Sequence, residues 1–355
     1  MNLPFPFFSR ACFEPFLDAN PHRKDPVSST ESERLITVSA TVIQDPQGRV
    51  LCVRKEGSPY FQLPGGKPEA GESSAQAATR EAAEEIGVEL KEEDLSFLGI
   101  FSAQAANEEG FKVRSTVYTH PYNEALGQVA GGQAEIAETR WLDITTPEEL
   151  DEQLAPLLAQ RIGPALKRRI NSLTVFTGAK TGMGEKYVAQ AREFGQQLAD
   201  RGITLVYGGG HVGLMGEIAD GVLENGGHVV GVMPRHLVDE EIAHPGLSAL
   251  LVVESMAERK QVMTDLADGF VALPGGVGTL DEVFEVWTGL QLGTHGKPVA
   301  LCNSRFWQPL VTGLAAMAGE GFIRAADFDS LILTEGAAET LERFEGWQPP
   351  RPRWS

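Results

Sequence analysis

Three glutamates, Glu81, Glu84 and Glu85, stand at i, i+3 and i+4 in the stretch Arg80-Glu81-Ala82-Ala83-Glu84-Glu85-Ile86-Gly87-Val88. On an α-helix that spacing puts three carboxylates on one face, where they repel one another unless a metal ion or an arginine lies among them. Hard oxygen donors of this kind select Mg²⁺ or Mn²⁺, ions that keep some of their waters and bridge phosphate oxygens. Three such glutamates alone also fit a solvated acidic helix; with a metal among them, the chemistry they offer is metal-assisted hydrolysis of a diphosphate. Upstream, Pro64-Gly65-Gly66 predicts a tight turn that brings a backbone carbonyl near the metal. Ala75, Ala78 and Ala82, on the opposite helix face, are small enough to let the helix lie close to a sheet. Glu135 and Glu138, ahead of Trp141, read first as surface carboxylates and second as a spare base or ligand.

Further along, two glycine loops have the composition of phosphate cradles. They are Tyr207-Gly208-Gly209-Gly210-His211-Val212-Gly213-Leu214-Met215-Gly216 and Pro274-Gly275-Gly276-Val277-Gly278-Thr279-Leu280-Asp281-Glu282. Glycines at a strand-to-helix junction let a phosphate approach bare N–H groups, and the helix N-terminus adds about half a positive charge. Neither loop has the spacing of the dinucleotide fingerprint, and no Gly-Lys-Ser/Thr follows. One phosphate is the ligand expected. Between the loops, Arg259 and Lys260 supply cations. Glu282, with Asp281 beside it, reads by itself as an ordinary glutamate at the start of the following helix, where a negative charge favours the dipole. His211, His228 and His236 read as structural or solvent-facing.

The elements that must position these groups fall into two halves. Residues 1–33 mix Pro and Phe with polar residues and read as an irregular arm. Residues 34–170 carry β-branched strand patterns at Leu35 to Ile43, Arg49 to Arg54, Phe97 to Ala103, Lys112 to His120 and Glu138 to Leu142 around the one acidic helix. From Pro147 to Arg169 the spacing of Leu150, Leu154, Leu157 and Leu158 predicts a helix that closes the first half. Residues 171–355 then repeat apolar strand, loop and helix, with strands at Leu173 to Phe176, Thr204 to Tyr207, Val229 to Met233, Phe270 to Leu273 and Val299 to Cys302. That rhythm predicts parallel βαβ units in a Rossmann-like open sheet.

At 355 residues the chain exceeds what one hydrophobic core usually spans, consistent with two domains. A net charge of -19 argues against duplex nucleic acid as the main partner. Three cysteines, Cys12, Cys52 and Cys302, with no Cys-x-x-Cys pair fit a reduced cytoplasm rather than a disulfide framework. No apolar run long enough to span a membrane is present.

The pattern Gly66-x5-Glu72-x7-Arg80-Glu81-Ala82-x-Glu84-Glu85-x-Gly87-Val88 resembles the Nudix box, over about residues 35 to 165. The resemblance implies an αβα sandwich with a mixed sheet that cleaves nucleoside diphosphates linked to another moiety. Glu81, Glu84 and Glu85 would be metal ligands, one of them acting as base. Arg80 would orient these carboxylates, and Glu72 would support the loop or the metal shell. Ala82 stands where the family often has a larger aliphatic residue.

The block Pro274-Gly275-Gly276-Val277-Gly278-Thr279-Leu280-Asp281-Glu282, with the upstream Arg259-Lys260, resembles the LOG family, over about 173 to 345. It implies a phosphoribohydrolase that releases the base from a nucleoside 5′-monophosphate, with no cofactor expected at that site. Gly275, Gly276, Gly278 and Thr279 would hold the 5′-phosphate, and Arg259 would fork its hydrogen bonds to phosphate or ribose oxygens as lysine could not. Glu282 would stabilise a cationic sugar or activate water, with Asp281 able to share that role. Gly209, Glu241 and Lys260 fall where the family contacts ligand. A homodimer through this domain is expected on the same ground. The segment Phe176-Thr177-Gly178-Ala179-Lys180-Thr181-Gly182 departs from the family's Cys-Gly-Ser-Ser, which leaves base recognition open. Together the halves predict a bifunctional nucleotide hydrolase acting first on a compound such as ADP-ribose and then on the monophosphate. The rivals are a LOG-type enzyme regulated by a nucleotide-sensing, non-catalytic Nudix domain, and a second half that carries a phosphorylated cofactor.

Overall fold

The computed structural model of the chain describes residues 34–129, 135–167, 170–239 and 242–351. The expected N-terminal arm, Cys12 and Glu241 lie outside them. The first half has eight strands: β1 (Arg34–Ile43), β2 (Val50–Lys55), β3 (Tyr60–Gln62), β4 (Gly65–Gly66), β5 (Ser96–Gln104), β6 (Phe111–His120), β7 (Ile136–Leu142) and β8 (Gln153–Leu154). They form two four-stranded mixed sheets, ordered β4-β1-β6-β5 and β7-β2-β3-β8. The helix α1 (Ser74–Ile86) lies on β1, and Ala75, Ala78 and Ala82 are buried against the sheet as their size predicts. Ser73 and Gln76 form a reciprocal capping box at its start, and Gly87 ends it in the left-handed conformation. Two short helices, α2 (Glu124–Gly127) and α3 (Gly163–Leu166), complete this half.

Two expectations are corrected here. Residues 147 to 169 are not one helix: a 3₁₀ turn at Pro147–Glu149, the strand β8 paired with β3, a π-helical turn at Leu158–Ile162 and α3 follow in succession among the described residues. Pro147 opens the 3₁₀ turn, Pro156 opens the helical run that contains the π-turn, and Pro164 lies in the first turn of α3, so each proline marks a new start. Leu150, Leu154, Leu157 and Leu158 still pack together on the core of this half, so their periodicity reports burial rather than a continuous helix. Gly65 and Gly66 form no free turn but a two-residue strand antiparallel to Ser39 and Ala40 of β1.

The second half is one seven-stranded parallel sheet, in the order β12-β11-β10-β9-β13-β14-β15. Its strands are β9 (Ser172–Phe176), β10 (Thr204–Tyr207), β11 (Val229–Pro234), β12 (Ala249–Val253), β13 (Gly269–Ala272), β14 (Val299–Cys302) and β15 (Leu331–Thr334). The helices are α4 (Lys186–Asp200), α5 (Gly213–Leu223), α6 (Arg235–Asp239), α7 (Met256–Asp265), α8 (Val277–Leu292), α9 (Ser304–Gly319), α10 (Ala325–Asp329) and α11 (Ala337–Glu345). Strands β9, β10, β11, β13 and β14 are buried along their whole length, as a parallel sheet covered on both faces requires. The two strands that sequence reading missed, β12 and β15, are the edges of the sheet. The chain steps outward from β9 to β12 and then returns to the other side at β13, which opens a crevice at the carboxyl ends of β9 and β13. Cys52 and Cys302 are buried free thiols. No described helix is long and apolar enough to cross a membrane.

The halves dock through strand β5. Ile100, 2% exposed, joins the core on one face of the parallel sheet, and its N–H donates to Thr204 Oγ1 at 3.2 Å. Thr204→Val keeps the shape but leaves that buried donor without a partner, a loss of about 1–3 kcal/mol. The expected readout is a lowered denaturant midpoint.

Two candidate active sites

In the first half, Arg80 is the hub. Its guanidinium makes a paired contact with Glu72 (Nε to Oε1 2.9 Å, Nη2 to Oε2 3.0 Å) and reaches Glu81 Oε1 at 2.9 Å and Glu84 Oε2 at 3.3 Å. Nη2 also donates to the Lys67 carbonyl, tying the loop to the helix. Glu72 accepts from the Glu69 N–H as well, and Arg80 holds its carboxyl below the usual carboxylate range. Glu81 lies directly over Gly66: a Cβ there would come within 2.3 Å of its Oε1, so the glycine is needed for close approach. Glu84 is half exposed at the rim.

Glu85 has no contact with Arg80 and meets the adjacent Gly65 instead. It is 4% exposed and accepts from the Gly65 N–H at 2.9 Å through Oε2. Lys55 Nζ lies 3.1 Å from Oε1, near enough to pair charge, yet Oε1 has no well-directed hydrogen bond. Burial raises the Glu85 carboxyl above its ordinary value despite Lys55. Among the described residues no three acidic, histidine or cysteine side chains are gathered in a preformed metal cage. The donors nonetheless suit a hard dication, because Glu85 Oε1 is a buried anionic oxygen still lacking a hydrogen bond. Lys55 is the residue that sequence reading missed. Alternation along β2 puts it on the same face as Leu51 and Val53, the face that packs on α1, and that was the available signal. Glu135 is exposed beside Lys55 at 3.9 Å, whereas Glu138 is held by Arg54 and Arg140 and serves the sheet surface.

In the second half, the glycine loops meet at the carboxyl ends of β9, β10 and β13. Gly178 donates to the Pro274 carbonyl and accepts from the Leu214 N–H, so the loop carrying Lys180 is laced to both others. Gly276 is the N-cap of α8; Gly276, Val277 and Gly278 are exposed and Thr279 is buried. The first-turn N–H groups of an α-helix have no partner within the helix, and at α8 they belong to a turn whose Val277 and Gly278 are exposed. Gly209 is buried with φ +81° and packs toward Met233, shaping the loop.

Arg259 is 9% exposed, with Nε donating to the Val232 carbonyl at 3.0 Å. Its guanidinium crosses the backbone at Gly208, where a Cβ would fall 1.7 Å from Nη2. Gly208→Ala therefore expels the guanidinium; base release from a nucleoside monophosphate is expected to fall by roughly 100-fold, the cost of losing a charge-assisted contact. A steady-state assay checks this. Glu282, on the second turn of α8, feels the positive field of Arg259, yet burial pushes its carboxyl up to about 7. Lys260 is engaged at 3.1 Å from Asp281 and in a closer ion pair with Glu285, and its positive field also reaches Glu282. Asp281 is exposed and answers Lys260. His211 Nδ1 lies 2.8 Å from the Ile242 carbonyl, His228 is kept neutral by burial and nearby arginines with its value lowered to about 4, and His236 is exposed.

The sequence has relatives among known proteins. The chain matches the NUDIX domain family over residues 33–162 and the family described as possible lysine decarboxylase over 215–344. It is 43% identical over 193 residues to the cytokinin riboside 5′-monophosphate phosphoribohydrolase of Rhodococcoides fascians, covering 98% of that protein and 53% of this chain. The C-terminal half belongs to that LOG family. The LOG5 enzyme of Arabidopsis thaliana is similar at 39% identity over 185 residues, covering 81% of that protein and 52% of this chain. Among solved structures, the molybdenum cofactor binding protein of Rippkaea orientalis aligns with 49% of this chain and 95% of its own, at 19% identity and a TM-score of 0.40. The chain is thus a hydrolase with a NUDIX domain ahead of a LOG domain.

Proposed function

We propose that the chain is a bifunctional nucleotide hydrolase. The NUDIX domain hydrolyses a nucleoside diphosphate derivative such as ADP-ribose: water adds to one phosphorus, the bridging P–O bond breaks, and two monophosphates result. The LOG domain then hydrolyses a nucleoside 5′-monophosphate of the AMP type: water adds to C1′, the C1′–N bond breaks, the base takes a proton, and ribose 5-phosphate is released.

The observation that carries the reading is Arg259, buried over Gly208, with the partly buried Glu282 in its field on the second turn of α8. The α8 amides hold the phosphate, Arg259 binds phosphate or ribose oxygens, and ionised Glu282 stabilises positive charge developing on the sugar or takes a proton from the attacking water. At the NUDIX site, Glu81, Glu84 and Glu85 would hold Mg²⁺ or Mn²⁺, with Glu72 supporting the loop. The cation neutralises charge on the diphosphate. Arg80 and Lys55 counter the carboxylates' repulsion. Incubation with Mg²⁺ and a nucleotide panel, followed by chromatography of base and monophosphate, tests both steps. Base release from AMP without cleavage of any diphosphate would mark the first domain as a nucleotide sensor instead. We place the enzyme in the cytoplasm as a homodimer paired through its LOG domains.

A further inference from the structure

We infer that the monophosphate passing from the NUDIX site to the LOG site is released to bulk solvent, because the two sites lie at opposite ends of the docked pair. The inference rests on the bifunctional reading above.

The docking contacts belong to one end of the parallel sheet. Thr204, the acceptor for the Ile100 N–H, is the first residue of β10. Asn171, immediately before β9, donates through Nδ2 to the Ala165 carbonyl of α3. His228, immediately before β11, lies in the field of Arg114 and Arg161 from the NUDIX domain. All three stand at strand N-termini. The glycine loops, Arg259 and Glu282 stand at the strand C-termini. Strands of four or five residues put roughly 13–16 Å of packed sheet between these ends.

The NUDIX domain adds a second separation. It docks through β5, one edge of the sheet ordered β4-β1-β6-β5. Its candidate site is built on the other edge, where Gly65 of β4 donates to Glu85 and Gly66 underlies Glu81. Three inter-strand spacings, roughly 14 Å, lie between the edges. The interposed core is closed: Ile100, Phe176, Val206 and Phe270 are buried within it. A phosphate dianion has no polar path through that apolar core, and crossing it would carry a severe desolvation cost.

The test uses the full chain with Mg²⁺ and ADP-ribose labelled in the adenine ring. Label appearing in AMP with Glu282→Gln, and base release from AMP by Glu85→Gln, each establish one half-reaction; failure of either overturns the bifunctional reading itself. With both present, an excess of about tenfold unlabelled AMP is added to the parent enzyme, against which direct transfer would act as a high effective concentration. The expected result is that label in free adenine is diluted with the AMP pool, after a lag. An equimolar mixture of the two variants should match the parent at equal concentration of each active site. Undiluted label in adenine, or a parent without a lag that outpaces the mixture, overturns the inference.

Discussion

Glu282→Gln is expected to lower base release from AMP by about 10³-fold, within the range for loss of a positioned acid–base or charge-stabilising group. Diphosphate cleavage should persist, since the NUDIX carboxylates lie in a separate domain. The pH profile carries the sign. Burial places the Glu282 carboxyl at about 7, and the roles assigned to it need the ionised form, so kcat/KM should fall as pH drops through about 7 and level off above it. The glutamine variant should lose that limb. The linked stability runs the other way: a carboxyl raised in the folded state favours folding below its ordinary value, and that contribution is lost as pH rises from 4.5 to about 7. A pH series of unfolding midpoints on both proteins reads this difference. A profile unchanged by the substitution would remove Glu282 from the chemistry.

Glu85→Gln should reduce diphosphate hydrolysis by a similar factor, about 10³-fold, while leaving the free protein as stable as the parent or more so at neutral pH. The reason is again burial. Glu85 is nearly inaccessible and its carboxyl is raised, so its charge in the metal-free protein is costly, and the amide removes that charge while keeping the acceptor for the Gly65 N–H. Mg²⁺ or Mn²⁺ titration should raise the unfolding temperature of the parent by mass action, and this shift should shrink or vanish in the variant. A full metal-induced shift in Glu85→Gln would exclude Glu85 as a ligand. Lys55 extends the argument: it is the cation nearest Glu85 Oε1, and a metal binding there must displace it.

The two sites were legible to different degrees. At the NUDIX site the local spacing carried most of the content, because metal-binding carboxylates three and four residues apart on one helix meet without help from elsewhere. It missed Lys55, which approaches from a strand, and the contact of Glu85 with the Gly65 N–H. At the LOG site, residues from four loops and helices converge, and no local period reports that convergence. The Arg259 and Glu282 pair was legible through motif resemblance; its burial and the fit of Arg259 over Gly208 were not. Lys260, expected at the ligand by resemblance, is found clamping α7 to α8 through Asp281 and Glu285. The leucine spacing over residues 147–169 misled for a related reason, since apolar side chains can line one core from a succession of turns as well as from a helix.

By itself the sequence determined that there are two domains, an acidic helix suited to a hard dication, and glycine loops suited to a phosphate. Each of these follows from short-range geometry, in which residue type and spacing set what a helix face or loop presents. The tertiary structure alone decided the direction in which the Glu85 and Glu282 carboxyls shift and the arrangement of the sites. Burial is a long-range property that raises Glu85 and Glu282, and the docking of the NUDIX domain against the starts of β9, β10 and β11 turns the two sites apart.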